Sequence, residues 1–260
     1  MIHNFDLISD LYLDDAGQFD WAFKPTSLLC LVGGNVASDR RLLYHALRHL
    51  STHYRKVFFI DGLLEHGNHL HDLERSYLEL EELTSKIPNV VYLQDRIIVT
   101  EGMAIMGTNG WWDFKFNPAH TFAETANWFL NLTNAGADLV ETLVDRSIGD
   151  AQYIKMTIEK LQRHNDVRKI MILSNSVPEF DIVKHDHEVA AELRSTLLGN
   201  SLMGPAVAAD TEHKIKTWCF GHYNMPVDRQ LNHIQFSSNP QGRPGGPRYQ
   251  SVYNPKRVMC

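Results

Sequence analysis

Five apolar segments of this sequence each stop at a polar residue, and this recurrence strongly constrains how the chain can fold. The polar residues that follow the segments are Asp10, Asn35, Asp61, Asn175 and His222. The segment at 27–32 is uninterrupted and ends in a Gly-Gly-Asn turn, which is typical of a strand buried on both faces. Sites in open α/β sheets form at the carboxyl ends of strands. We therefore expect these side chains near one sheet edge.

In the N-terminal part of the chain, predicted helices alternate with the apolar segments. Strands are predicted at 4–9, 27–32 and 56–60. Ser38 is predicted to cap a helix that runs to about residue 54, and Leu73, Tyr77 and Leu80 mark a second amphipathic helix. Strands and helices that alternate through short joints predict an α/β fold with a partly parallel sheet.

The rest of the chain has a different pattern. Three short strands at 90–93, 97–100 and 103–106 predict an antiparallel meander. Helices are predicted at 121–146, 151–163 and 188–198, and strands at 169–173, 217–220 and 233–237. We find no internal repeat and no long linker, so we expect one domain over residues 1–260, with a basic, Pro/Gly-rich tail at 239–260.

Composition narrows the class of protein. The 260 residues carry a net charge of −6, and a pI near 6.1 argues against electrostatic binding of the whole protein to nucleic acid. No apolar run reaches the roughly 18 residues of a membrane span, and the N-terminus lacks the pattern of a signal peptide. The three cysteines (Cys30, Cys219 and Cys260) are expected to be buried reduced thiols. These features predict a cytoplasmic protein without a membrane segment.

The order of the polar strand ends resembles that of the calcineurin-like metallophosphoesterase family. That family carries Asp-x-His, Gly-Asp, Gly-Asn-His-Glu, Thr-His-His and Gly-His-x-His motifs, each after a strand. The matching segments here are 9–13, 34–35, 62–65, 174–178 and 221–224. Two further segments, at 107–114 and 238–242, are similar to Gly-x-x-x-Trp-x-Asp-Phe and Asn-Pro-x-Gly sequences of some members. The resemblance implies two facing mixed β-sheets flanked by helices, in a four-layer sandwich of the α/β class.

Most of the matched metal-ligand positions are substituted. In the family, two divalent cations share a bridging aspartate, and the pair of cations promotes phosphoester hydrolysis. Asp10 and His222 keep the first aspartate and one histidine. The other matched ligand positions carry Tyr12, Asn35, Leu63, Asn175 and Asn224, and Leu64 replaces the histidine that assists the leaving group. Leucine cannot bind a metal, and neutral Asn and Tyr are poor substitutes for imidazole and carboxylate.

The resemblance and these substitutions predict a pseudoenzyme that acts by binding or assembly, with no catalytic residues, no metal and no cofactor. Its binding residues would be Asp10, Tyr12, Asn35, Asn175, His222 and Asn224. The partner would be a protein or a phosphate-containing small molecule. One alternative is a residual phosphoesterase with a single divalent cation, such as manganese or zinc, at Asp10 and His222, with Asp61 or Glu65 as a further ligand. Another is a nucleotide or phosphate sensor without hydrolysis.

Other chemically suggestive groups have simpler interpretations. Gly67-Asn68-His69 spells the first three residues of the family's third motif, but five residues too late and followed by Leu70 in place of the acid. His45, His49 and His53 share one helical stripe and are expected to be solvated, while His185 and His187 flank a predicted helix start. The pair Trp111-Trp112 is predicted to be core rather than a stacking platform, and the basic tail to lie on the surface.

Overall fold

The computed structural model describes residues 3–16, 24–67, 69–186 and 191–260, and their strands form two sheets. The strands are β1 Asn4–Ile8, β2 Leu29–Gly33, β3 Lys56–Ile60, β4 Val90–Tyr92, β5 Arg96–Thr100, β6 Met103–Thr108, β7 Lys169–Ser174, β8 Ile215–Phe220, β9 Val227–Leu231, β10 Ile234–Ser238 and β11 Lys256–Met259. The first sheet has the order β11-β1-β2-β3-β4 and the second β5-β6-β7-β8-β10-β9.

Both sheets are mixed, with parallel strands at their centres. Strands β1 to β4 run parallel, and β11 adds an antiparallel edge. In the second sheet, β6, β7, β8 and β10 are parallel, while β5 and β9 are antiparallel edge strands. Because parallel strands share a direction, the carboxyl ends of β1, β2 and β3 lie at one edge, as do those of β7 and β8.

The central strands are apolar throughout because both of their faces are buried. On β3, Phe58 and Ile60 pack between the two sheets, whereas Val57 and Phe59 pack on the helix side. On β7, Met171 and Leu173 face the intersheet core, and Ile170 and Ile172 pack with residues of the long helix at 137–162. Two sheets with helices on their outer faces form a four-layer α/β sandwich, as predicted.

The helices are α1 Leu13–Ala16, α2 Arg40–His53, α3 Leu63–His66, α4 Leu73–Ser85, α5 Phe122–Thr133, α6 Ala137–Gln162, α7 Phe180–Val183 and α8 Met203–Ala206, with 3₁₀ turns at Leu193–Leu197 and Val207–Ala209. The cap of α2 is Asp39, whose carboxylate accepts from the backbone N–H groups of Arg41 and Leu42. The prediction of Ser38 as the cap was wrong, since its N–H and hydroxyl both bind Asp14.

The structure corrects the middle of the chain in two places. The predicted meander was wrong because β4 pairs in parallel with β3 in the first sheet, leaving only β5 and β6 as an antiparallel pair in the second. The predicted helix break at 147–150 was also wrong: α6 continues through Gly149, where a Cβ would meet no atom within 4 Å. The break falls instead at Asn134, whose φ of 52° is left-handed.

The C-terminal third differs from the expectation as well. In place of a helix at 188–198, the described residues hold only the short 3₁₀ turn Leu193–Leu197, and residues 187–190 lie outside the described part. Strands β9 and β11 were not predicted; β11 lies in the basic tail and pairs with β1. Among the described residues, no helix has the length and apolarity needed to cross a membrane.

Candidate functional site

The carboxyl ends of β1, β2, β7 and β8 meet where the two sheets face each other. The amide Nδ2 of Asn175, after β7, donates to the carbonyl oxygen of Gly33 on β2 at 2.7 Å. A Cβ on Gly221, after β8, would lie 2.3 Å from that same oxygen and 3.2 Å from Asp10 Oδ2. Glycine is therefore needed at residue 221. Asp10, Asn35, Asn175 and His222 come together, as the strand ends predicted: His222 lines the cleft, and the other three are buried beneath it as its floor.

Asn35 forms the centre of the cleft floor. Its Oδ1 accepts the backbone N–H of Leu64 at 3.0 Å, which directs the amide NH₂ group the opposite way. Nδ2 donates to Asp10 Oδ1 at 2.9 Å and lies 3.5 Å from His222 Nδ1. An uncharged N–H donor thus occupies the space between the carboxylate and the imidazole.

The imidazole of His222 is held as a neutral ring. Its Nε2 lies 2.9 Å from the carbonyl oxygen of Leu197, so Nε2 carries the proton and Nδ1 presents a lone pair towards Asn35. Burial lowers the pKa of His222 to about 4, against the opposing effect of the Leu197 hydrogen bond. Trp112 covers the ring, with centroids 5.5 Å apart and planes at 33°.

Asp10 is fully buried and its partners in this cleft are neutral. Besides Asn35, the backbone N–H of His222 donates to both of its carboxylate oxygens, at 2.9 and 3.1 Å. Burial raises the pKa of Asp10 to about 6, although the hydrogen bonds from Asn35 and His222 oppose the shift. A carboxylate with no cationic partner is costly to bury, and here that cost is expressed as easier protonation.

Tyr12 and Asn224 form the outer part of the floor. Asn224 Nδ2 donates to the Tyr12 hydroxyl and to the carbonyl oxygen of His222, each at 3.1 Å. The guanidinium of Arg243 covers the Tyr12 ring at 4.9 Å from its centroid. Asn224 Oδ1 is buried and has no hydrogen-bond partner among the described residues. This acceptor is available to a donor group of a ligand.

The backbone at these positions is strained. Asp10, Tyr12, Asn35, His222 and Asn224 have φ values of 55°, 47°, 55°, 64° and 57°. Non-glycine residues adopt this left-handed region at a cost of about 1 kcal/mol or more each, and such residues cluster at functional sites. Five of the eleven such residues in the described part of the chain thus lie in the loops that follow β1, β2 and β8.

The residues present do not fit a pair of metal ions. Leu63 and Leu64 offer no ligand atom, and the backbone N–H of Leu64 is used to orient Asn35. Asn35 directs N–H groups, rather than an anionic oxygen, at the space between Asp10 and His222. Two divalent cations would meet one carboxylate and one imidazole there, which is too little charge and too few ligands.

The neighbouring carboxylates, of Glu65 and Asp61, hold buried groups of the protein in place through hydrogen bonds. Glu65 accepts four backbone N–H groups, from Gly62, Asn35, Val36 and Ala37, at 2.6 to 3.2 Å. Asp61 binds His66 Nε2 at 2.6 Å, the Tyr92 hydroxyl at 2.5 Å and Asn109 Nδ2 at 2.7 Å. These donors use most of the acceptor positions of both carboxylates, which weakens the case for either as a further cation ligand.

The cleft above the floor has a volume of about 450 Å³ and a rim of mixed character. Its walls include the apolar side chains of Leu63, Leu197 and Trp112, and three arginines stand at its edge: Arg194, Arg243 and Arg248. Arg248 forms an ion pair with Asp186 at 2.9 Å.

Sequence reasoning missed most of this rim. Trp112 is 4% exposed and belongs to the core, as predicted, yet it also lines the cleft. The tail was expected to lie on the surface, but Arg243 and Arg248 reach the cleft because residues 239–242 bond to the β1 end, for example Gly242 N–H to the Asp10 carbonyl at 3.0 Å. The tail's excess of positive charge was the only feature of the sequence that could have indicated its position at the cleft.

The remaining histidine groups lie elsewhere. His45 and His53 are exposed on α2, and His49 is half-buried and packs on the His53 ring at a 4.5 Å centroid distance. His185 Nε2 contacts Arg229 at 3.0 Å. His187, and Asn68 of the shifted motif, lie outside the described residues, so the prediction for His187 and the shifted register stay untested.

Comparison with solved structures supports the fold. Phosphopantetheinyl hydrolase (PptH) from Mycobacterium tuberculosis is 17% identical, with a TM-score of 0.73 over 98% of this chain and 95% of that one. A second solved structure, 10% identical over 92% of this chain and 91% of that one, has a TM-score of 0.50. A Staphylococcus aureus protein assigned as a 5'-nucleotidase, in complex with alpha-ketoglutarate, is 10% identical over 94% of this chain and 49% of that one; its TM-score of 0.46 supports no inference.

No protein-family model matches the sequence, and no curated protein matches it significantly. The chain shares the fold of the PptH structure. At such low identity the likeness concerns the fold alone.

Proposed function

We propose that this chain is a pseudoenzyme, a divergent relative of the calcineurin-like metallophosphoesterases that binds a ligand in its cleft without the paired metal ions of catalysis. One observation carries the proposal: the side-chain amide of Asn35 bridges Asp10 and His222. Two N–H groups take the place that a cation would need between these side chains, and Leu64 locks the amide in that orientation.

The floor is suited to hydrogen bonding rather than to hydrolysis. Without paired cations, nothing generates hydroxide near neutral pH or stabilises charge on the phosphoryl oxygens. His222 is neutral and Asp10 is buried among neutral groups. The free acceptor Asn224 Oδ1 adds a directional contact for a ligand.

The rim favours an anionic ligand with an apolar part. Guanidinium groups bind phosphate oxygens in pairs and stack on aromatic rings, and Arg243 and Arg248 both lie over tyrosine rings at the cleft. Trp112 and Leu197 supply apolar wall. We infer a phosphate-containing small molecule as the partner, bound in a cytoplasmic protein whose cysteines are all buried and free.

The metal part of the proposal is tested with manganese and bis-p-nitrophenyl phosphate. We expect wild type to bind no manganese pair by calorimetry and to hydrolyse the substrate at the rate of Asp10→Asn and His222→Asn. Asparagine tolerates the left-handed backbone at both positions, so these variants should fold. Manganese-dependent turnover lost in both variants would replace the pseudoenzyme by a mononuclear phosphoesterase.

A substitution at the floor sharpens this test. Asn35→Asp restores an anionic oxygen beside Asp10, so we expect it to bind manganese at least about tenfold more tightly than wild type. The matched control is Asn134→Asp, which makes the same change at another left-handed position, after α5. Equal manganese affinity in wild type and Asn35→Asp would mean that the Asn35 amide does not block a cation.

The ligand class is tested by titrating the protein with phosphopantetheine and with inorganic phosphate. Phosphopantetheine is chosen because the structurally similar PptH is a phosphopantetheinyl hydrolase. Arg243→Gln and Arg248→Gln should each weaken binding of the phosphate ester by about tenfold, because a charge-assisted hydrogen bond contributes about 1.5–3 kcal/mol. Arg41→Gln, on α2 outside the cleft, is the control. Binding to neither compound would redirect the search to a protein partner.

A further inference from the structure

Three side chains far from the cleft form a cluster with the composition of a transition-metal site. Asp210 follows the 3₁₀ turn Val207–Ala209, His213 lies in the turn before β8, and His233 lies in the turn before β10. One ligand atom from each lies within 4.8 Å of the others. Among the described residues, this is the only group of three or more such side chains at that spacing.

The distances suit a shared cation. His233 Nε2 lies 3.0 Å from Asp210 Oδ2, and the rings of His213 and His233 have centroids 4.3 Å apart. Ligands about 2.0–2.1 Å from a tetrahedral zinc ion are roughly 3.3 Å from each other. The Asp210 and His233 ligand atoms are already near this separation, and the His213 ligand atom, within 4.8 Å of both, needs to approach by at most about 1.5 Å. The cation would replace the proton that His233 shares with Asp210.

The carboxylate is held in place by further hydrogen bonds. Asp210 Oδ1 accepts from Gln162 Nε2 at 2.9 Å and from the backbone N–H of Lys214 at 2.8 Å, and Oδ2 accepts from the N–H of Ile215 at 2.9 Å. Oδ2 keeps one further lone pair, which now faces His233. Such supporting bonds fix the orientation of metal-binding carboxylates and raise metal affinity.

We propose that Asp210, His213 and His233 bind one zinc ion or a similar borderline divalent metal. Two imidazoles and one carboxylate select this class over magnesium or calcium, which prefer oxygen ligands. Asp210 is buried, while His213 is exposed, so the fourth position is open to water.

The proposed site is independent of the cleft. It lies at the start of β8, whereas the cleft lies beyond its end, and a six-residue strand spans about 20 Å. Through Gln162, the cluster connects the end of α6 to the turn before β8 and to the β9–β10 hairpin. A bound ion would join these three segments, which indicates a structural role.

The test measures zinc in the full-length protein after treatment with a chelator and dialysis against zinc. We expect one zinc ion per chain, a zinc-dependent rise in Tm, and tetrahedral visible bands when cobalt replaces zinc. His213→Asn keeps a residue that tolerates the φ of 51° at this exposed position, so it should fold, and it should weaken zinc binding more than about tenfold.

The control removes the other close histidine pair. The double variant His49→Ala/His53→Ala should retain the zinc ion, the Tm shift and the cobalt spectrum. No zinc bound at micromolar concentration, or zinc that survives His213→Asn and disappears with the His49/His53 pair, would overturn the proposal. Manganese binding at the cleft is measured separately, so failure of one site leaves the other prediction intact.

Discussion

Two carboxylates at the same edge of the first sheet have opposite electrostatic character. Asp10 follows β1 and Asp61 follows β3, and both are fully buried. Burial raises the pKa of Asp10 to about 6, and the hydrogen bonds from its amide partners offset only part of the shift. Burial would likewise raise the pKa of Asp61, but His66 and the hydrogen bonds from Tyr92 and Asn109 hold it below its ordinary value.

The difference shows that the partner, rather than the position at a strand end, decides what a buried carboxylate does. Asp61 has a basic partner 2.6 Å away and stabilises the packing of α3 against the sheet. Asp10 has no cation among the described residues and lies at the floor of a cleft with strained loops. A poorly compensated charge in a cleft is a feature of binding sites.

The largest expected effect on stability comes from a substitution of Asp61. Asp61→Asn removes the charge facing His66, and we expect a loss of about 3–5 kcal/mol in the free energy of unfolding, measured by urea denaturation. Asp10→Asn should cause no such loss near neutral pH, because it removes a buried charge whose partners are neutral. Equal losses in the two variants would mean that Asp10 is as well compensated as Asp61.

A smaller effect concerns pH. Since the folded-state pKa of Asp10 lies above its ordinary value of 3.8, the folded protein holds an extra proton between about pH 4 and pH 6. The contribution of Asp10 to stability therefore falls as pH rises through this window, by up to about 3 kcal/mol for two pKa units. The pKa of Asp61 is shifted in the opposite direction, so the contribution of Asp61 to stability is lost as the pH falls below its ordinary pKa.

The measurement is the difference in unfolding free energy between wild type and Asp10→Asn at the two ends of the window. Taking a difference removes the shared contributions of Glu65 and Asp150, whose pKa values are each raised to about 7, mainly by burial. The variant should gain stability relative to wild type as pH rises. A constant difference across the window would show that the pKa of Asp10 is not raised.

The limits of sequence reasoning are visible in particular elements. The apolar runs of β2 and β3 predicted buried strands because alternate side chains enter two different cores. The position of β4 could not be predicted, since three residues, Val-Val-Tyr, suit either sheet. Gly149 suggested a helix break, but packing of the rest of α6 against the second sheet outweighs the roughly 1 kcal/mol cost of one glycine.

The sequence predicted the four-layer fold through its resemblance to a known family. It predicted the meeting of Asp10, Asn35, Asn175 and His222 because strand direction brings the residues after parallel strands to one edge. It also determined which ligand groups are missing, since leucine cannot bind a metal. Only the tertiary structure decided which way the Asn35 amide points, because the backbone N–H of Leu64 sets that orientation from a different loop. The approach of Arg243 to Tyr12, and of His213 to Asp210 and His233, likewise depends on loops whose geometry is fixed by long-range packing and not by local sequence.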